Sequence, residues 1–102
     1  MGGIIINKQV IDGETIFFVE GQLNTDTSSD LQSALEEEFS VAAGITVNLS
    51  KLHYISSAGL RVLLAAQKKS KLTGVSFRLS NLTRQVWELF DMVGFTEFFK
   101  II

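Results

Sequence analysis

The chain has 102 residues, a formal net charge of −2, 46% hydrophobic and 20% charged residues, the composition of one globular domain covering residues 1–102. With no cysteine and one histidine, disulfides and thiolate or histidine-rich metal sites are excluded, and we expect no cofactor. The charge disfavours nucleic-acid binding, and short apolar runs with no leader pattern predict a cytoplasmic protein without membrane insertion.

The first third of the chain predicts a hairpin followed by a helix. Residues 4–10 and 14–20 are rich in β-branched and aromatic side chains, with the turn signal Asp12-Gly13 between them and Gly21 as the expected end. Polar cap residues at 24–30 precede a helical repeat that Gly44 should close. The members of that repeat are Leu31, Ala34, Leu35, Phe39 and Ala42, and Glu36 to Glu38 should form its solvated face.

Residues 45–49 predict a short central strand, residues 50–57 a connection, and residues 58–72 a second helix ended by Gly74. Residues 75–79 alternate as a half-buried strand does. Ser80 or Asn81 should cap a third helix stopped by Gly94, and residues 95–102 are either a short last strand or an irregular apolar tail. The order predicts an α/β domain: an antiparallel hairpin, then βα units, with helices packed on a mixed sheet.

The aromatic side chains of the last third should be mostly core: Trp87, Phe90, Phe95, Phe98 and Phe99. If Phe98 and Phe99 are both exposed, they would instead indicate a surface for a partner or a second copy. We expect a monomer or a weak dimer.

The chemically informative segment runs from Asn48 to Arg61, where a strand, a polar connection and two serines precede a helix. Free N–H groups in the first turn of a helix favour an anion, so a phosphate on Ser56 or Ser57 would be tolerated there. A phosphate adds about −1.5 to −2 charge at pH 7 and would act on whatever binds that surface. The simpler interpretation is that these serines only cap the helix, and that Gly59 only permits close packing on the sheet.

The run from Tyr54 to Leu60, Tyr-Ile-Ser-Ser-Ala-Gly-Leu, resembles the signature of STAS domains, the family of sulphate transporters and anti-sigma factor antagonists. The Gly-Gln-Leu-Asn element at 21–24 is similar to the family's element after its second strand, and residues 86–95 resemble its last-helix pattern. The resemblance spans nearly the whole domain. Gln22, Asn24 and Ser56 stand where related antagonists often carry acids, which makes this loop less acidic.

The resemblance implies a bacterial regulator of transcription. The unphosphorylated protein would bind an anti-sigma factor that is also a serine kinase, and phosphorylation of Ser57, with Ser56 as second choice, would release it until a phosphatase resets the cycle. The chain would be substrate and ligand, with no catalysis of its own. The implied partner-binding residues are Gly21, Gln22, Leu23, Asn24, Thr25, Ser56, Ser57, Ala58, Gly59 and Arg61.

Two other functions remain open from the residues. An enzyme could use Ser57 and His53 with Asp26 or Asp30 as a nucleophilic triad, but the glycine pattern of a nucleophile elbow is missing. Alternatively, the same fold could serve as an adaptor subunit of a transporter or a stress-signalling complex without a phosphorylation cycle.

Overall fold

The computed structural model describes residues 3–102, so the first two residues of the predicted domain lie outside the described part. Seven elements follow one another along the chain. They are β1 (Ile4–Ile11), β2 (Glu14–Leu23), α1 (Ser28–Phe39), β3 (Gly44–Ile55), α2 (Ser57–Thr73), β4 (Ser76–Ser80) and α3 (Arg84–Met92). This order and the α/β class confirm the prediction.

The four strands form one mixed sheet in the order β1-β2-β3-β4. β1 and β2 are antiparallel, as the Asp12-Gly13 turn predicts, and Asp12 takes a positive φ of 52° in that turn. β2 pairs parallel with β3, and β3 parallel with β4. The carboxyl ends of β2 and β3 therefore lie side by side at one edge of the sheet, followed by the first turns of α1 and α2.

One face of the sheet forms the core with α1 and α2. Phe17 of β2, Val47 of β3 and Phe77 of β4 are buried on that face, and the Phe77 ring packs 6.2 Å from the ring of Phe39 in α1. The buried apolar side chains supply the main driving force for folding, because removing apolar surface from water is favourable. The core fixes the positions of the other elements, including the first turns of α1 and α2, where the candidate site lies.

β3 is more than twice as long as predicted, with 12 residues, and the expected connection at 50–57 is wrong. The strand continues to Ile55, and only Ser56 separates it from α2. Leu49, Leu52 and Ile55 are buried at intervals of three residues because two bulges each insert an extra residue into β3 against β2. That spacing hides the two-residue alternation by which a strand is usually recognised in a sequence.

Two glycines that were expected to end elements lie inside or at the start of strands. β2 passes through Gly21 to Leu23, and Gly21 adopts φ +113° where a side-chain Cβ would lie within 2.4 Å of the Gly3 carbonyl oxygen. Gly44 is the first residue of β3, whereas α1 ends at Phe39 with Ser40 as its C-cap. Both predictions are wrong: Gly21 lies where a side chain would meet the Gly3 backbone, and Gly44 starts β3 beside the Glu14 carboxylate and the Ser76 hydroxyl.

The third helix corrects one further expectation, and the tail takes the second of its two predicted forms. Thr83 caps α3, its hydroxyl accepting from the Val86 N–H, so neither Ser80 nor Asn81 is the cap. The tail is irregular and touches the sheet by a single bridge between Ile101 and Leu79. The rings of Phe90 and Phe99 are buried, while Phe98 is 38% exposed, so the condition for an aromatic partner surface, both Phe98 and Phe99 exposed, is not met.

The acidic run of α1 is not wholly solvated. Glu36 and Glu37 are exposed, but Glu38 is buried, and its carboxylate accepts hydrogen bonds from the Thr15 hydroxyl and from the Lys8 ammonium, the latter at 3.1 Å. The Thr15 hydrogen bond is the main reason that the pKa of Glu38 lies below its ordinary value of 4.5; burial opposes this and Lys8 reinforces it. Glu38 therefore ties α1 to the hairpin as a buried ion.

Candidate functional site

The ends of β2 and β3 place the two serines of the predicted site. The Ser56 N–H donates to the Leu23 carbonyl at 2.8 Å, so the β2 end and the start of α2 are joined directly. Gly59, in the first turn of α2, is buried against the same two strand ends. A Cβ at Gly59 would lie 2.8 Å from Leu23 Cγ and 2.9 Å from Ile55 Cγ1. Glycine is needed here because α2 begins in contact with the sheet.

Ser56 is the N-cap of α2. Its backbone is extended, with φ −96° and ψ 176°, and its hydroxyl accepts a 3.4 Å hydrogen bond from the Gly59 N–H. The Ser56 carbonyl accepts from the Leu60 N–H at 2.9 Å, which starts the helical hydrogen-bond pattern. Ser56 is half-buried and has a structural role that a small polar cap residue fills.

Ser57 is the first residue inside α2 and is exposed. No side-chain hydrogen bond within residues 3–102 engages its hydroxyl. The first turn of α2 carries no acidic residue, so its unpaired N–H groups give this end of the helix a partial positive charge without a local anion. The structure thus separates two adjacent serines into a capping hydroxyl and an accessible one.

Hydrogen bonds among residues 22–27 fix the shape of the loop after β2, which lies beside this turn. The Asn24 side-chain oxygen accepts from the backbone N–H groups of Asp26 at 2.9 Å and Thr27 at 3.0 Å. The Thr27 hydroxyl donates to the Gln22 carbonyl at 2.7 Å and accepts from the Asn24 N–H at 2.9 Å. Asn24 therefore shapes the loop through an Asx-type turn, and Thr25 stays exposed at its tip.

Two open grooves meet at Ser57 and run between α2 and α3. The larger, about 530 Å³, is bordered by Ser57 and Leu60 of α2, Gln85 and Leu89 of α3, and Tyr54 of β3. The smaller, about 250 Å³, continues along α2 past Leu60, Arg61 and Leu64 to Val93 and Phe95. Both grooves are open and mainly apolar, as a surface that contacts an apolar protein segment would be.

Arg61 lies one helical turn beyond Ser57 and is exposed. It borders the small groove together with Ser57, and on its other side a groove toward α1 that Ala58, Ser28 and Gln32 also line. Within residues 3–102 it forms no ion pair. Arg61 is therefore an accessible cation at the centre of the candidate surface.

Three of the predicted partner-binding residues expose less of their side chains, or none, at this surface. Leu23 is fully buried beneath Gly59, and Gly59 itself is buried, so neither offers a side chain to a partner. Gly21 packs against the backbone of Gly3, the residue just before β1. The remaining positions are exposed or half-buried around the turn: Gln22, Asn24, Thr25, Ser56, Ser57, Ala58 and Arg61.

The residues of the alternative catalytic triad are only partly brought together. His53 and Ser57 border the same groove, whereas Asp26 and Asp30 are exposed on the loop and on α1, outside that lining. The α3 wall of the groove, with Gln85 and Leu89, was missed from the sequence. It could not have been found there, because α3 is placed by its packing against β3, which carries no local sequence signal.

Within residues 3–102 no helix is both long enough and apolar enough to cross a bilayer. In the same range, no three acidic or histidine side chains are grouped closely enough to hold a metal ion.

Comparison with known proteins gives consistent matches. The sequence model of the STAS domain matches residues 6–102. BtrV of Bordetella bronchiseptica, assigned as an anti-sigma factor antagonist, is 32% identical over 92 residues, covering 89% of this chain and 79% of BtrV. An anti-sigma factor antagonist from Mycobacterium paratuberculosis superposes with a TM-score of 0.86 at 21% identity, covering 97% of this chain and 85% of that one.

The antagonist SpoIIAA has been solved in two forms, and both share the fold of this chain. The unphosphorylated form gives a TM-score of 0.81 at 13% identity, covering 96% of this chain and 88% of SpoIIAA. The phosphorylated form, from Bacillus, gives 0.75 at 13% identity, covering 98% and 91%. At this identity the likeness concerns the fold.

Proposed function

We propose that this chain, which belongs to the STAS domain family, acts in the cytoplasm as an anti-sigma factor antagonist whose binding to its partner is ended by phosphorylation of Ser57. The observation that carries the proposal is that the two adjacent serines have different structural roles. Ser56 is occupied as the N-cap of α2, and Ser57 is exposed beside it with its hydroxyl accessible. The relationship to BtrV favours this function over that of a transporter adaptor.

The partner is proposed to be an anti-sigma factor with serine kinase activity. The Ser57 oxygen would attack the γ-phosphorus of the ATP bound to that kinase; a new P–O bond forms, the bond to ADP breaks, and the hydroxyl proton is released. A separate phosphatase would hydrolyse the phosphoserine and restore the binding form. The chain itself contributes the acceptor hydroxyl and the docking surface, and no catalytic group.

Phosphorylation is suited to end binding without unfolding the domain. A phosphate on Ser57 faces the N–H groups of the first turn of α2, which stabilise an anion there. The domain should therefore keep its fold, whereas the partner meets about −1.5 to −2 of new charge at the entrance of the α2–α3 groove. The surface that changes contains Gln22, Asn24, Thr25, Ala58 and Arg61 around the two serines.

The test uses the host's own proteins of the anti-sigma kinase type, each purified and mixed with the full chain. We expect one of them to bind the unmodified chain and, with ATP, to phosphorylate it and let it go. Ser57→Ala should bind and not be phosphorylated. Ser56→Asn is the matched control, because asparagine keeps the helix cap while removing the neighbouring hydroxyl, and it should still be phosphorylated.

Phosphate transfer to Ser57→Ala but not to Ser56→Asn would move the site to Ser56. If the chain binds a partner and adding ATP never releases it, that result would contradict the phosphorylation cycle and favour the adaptor function.

A further inference from the structure

We propose that Arg61 is the internal counter-ion of a phosphate on Ser57, so that phosphorylation also withdraws the cation of the docking surface from the partner. This rests on the proposed function, since it concerns the regulation of the same serine. Three observations carry it: the helical spacing of the two residues, their shared groove, and the accessibility of the Arg61 guanidinium.

The spacing places the two side chains on one face of α2. Ser57 and Arg61 are four residues apart in a continuous helix from Ser57 to Thr73. Residues at this spacing have Cβ atoms about 5–6 Å apart, and an anion on the N-terminal side of a cation is the favourable order. Both side chains border the same groove with Leu60, Leu64 and Val93, so no element separates them.

The charges around the site leave Arg61 available. Arg84, at the start of α3, is already paired with Glu88 at 3.0 Å, whereas Arg61 forms no ion pair within residues 3–102. His53 and Tyr54 are the titratable groups that border the large groove with Ser57. A guanidinium presents parallel N–H donors that match two oxygens of a phosphate, which makes Arg61 the suitable partner.

The consequence is that phosphorylation alters the surface in two ways, by adding the phosphate charge and by engaging the Arg61 guanidinium. In the unmodified chain, Arg61 is exposed and can attract an acidic patch of the partner. In the phosphorylated chain, the pair holds Arg61 against its own helix, and the surface that was locally cationic becomes anionic. An acidic partner surface would then lose an attraction and meet a repulsion at the same place.

The test installs phosphoserine at position 57 during translation, so that it does not depend on any kinase. The phosphate is titrated by ³¹P NMR in the otherwise unchanged chain and in Arg61→Gln and Arg61→Lys. We expect Arg61→Gln to raise the second pKa of the phosphate by about 0.3, a twofold change in its acid constant, and 1 M NaCl to reduce the difference. Arg61→Lys keeps the charge but loses the parallel N–H donors, so its phosphate pKa should fall between those of the parent and of Arg61→Gln.

Lys68→Gln is the matched control, because Lys68 is exposed on the same helix but about 16 Å along its axis from Ser57. It should leave the phosphate pKa unchanged, and His53 is present in every variant. A pKa equal in the parent and in Arg61→Gln would overturn the pairing, as would Arg61→Lys behaving like Arg61→Gln. Either result leaves the proposed function standing. That function fails separately if Ser57 is never phosphorylated by a partner, whatever the titration shows.

Discussion

The two adjacent serines should respond differently to removal of their hydroxyls. Ser56→Ala removes the acceptor of the Gly59 N–H, a hydrogen bond of 3.4 Å, at the start of a helix of 17 residues. Loss of a serine cap costs about 0.5–2 kcal/mol, and this long bond belongs in the lower half of that range, about 0.5–1 kcal/mol. For a chain of this size, that lowers Tm by about 2–5 °C. Ser57→Ala removes an exposed hydroxyl and should change stability by less than about 0.5 kcal/mol.

The assay is urea unfolding followed by circular dichroism, with thermal melts as a second measurement on the same samples. Ser56→Asn provides the control, because it should recover most of the stability that Ser56→Ala loses. The reasoning is refuted if Ser57→Ala destabilises the protein as much as Ser56→Ala. In that case Ser57 would be held by the fold, and its hydroxyl would not be free for modification.

Three further substitutions test the packing that positions the site. Glu38→Gln should flatten the pH dependence of stability: since the folded pKa of Glu38 is depressed, its contribution is present above pH about 4.5 and is lost as pH falls through the lower folded value. Urea midpoints from pH 3 to 7 measure this, and parallel curves for both proteins would contradict it. Gly59→Val should cost about 1–3 kcal/mol by forcing α2 off Leu23, and an unchanged urea midpoint would argue against the tight contact. Phe90→Ala should lower the free energy of unfolding by about 3–5 kcal/mol, because the fully buried Phe90 ring anchors α3. If calorimetry shows a loss below about 1 kcal/mol, the ring does not lie in the core.

Much of the architecture could be predicted because the relevant signals are local. The Asp12-Gly13 turn, the helical repeat from Leu31 to Phe39 and the stop at Gly74 each depend on residues near in sequence. Gly74 indeed takes φ +81° at the end of α2, the left-handed conformation that glycine adopts readily. The same holds for the position of the candidate site, since a serine pair at the start of a helix can be recognised from the residues alone.

The errors arose where tertiary contacts decide. The bulges of β3 exist only against β2, so the buried spacing of Leu52 and Ile55 could not be interpreted as a strand. The sequence predicts that the second strand ends at Gly21, but β2 continues past it, where a side chain would meet the Gly3 carbonyl oxygen. The motif also does not show that the Leu23 side chain, predicted at the partner surface, lies under Gly59. A motif marks residues that recur together and does not separate those that bind from those that support the binding turn.

The account's central claim is tested most directly by the intact mass of the chain isolated from its native host across growth conditions. The parent should carry a single phosphate under some condition, Ser56→Asn should carry it too, and Ser57→Ala should not. A parent chain that is never phosphorylated, or a phosphate that persists in Ser57→Ala, would contradict the assignment of Ser57 as the regulated residue.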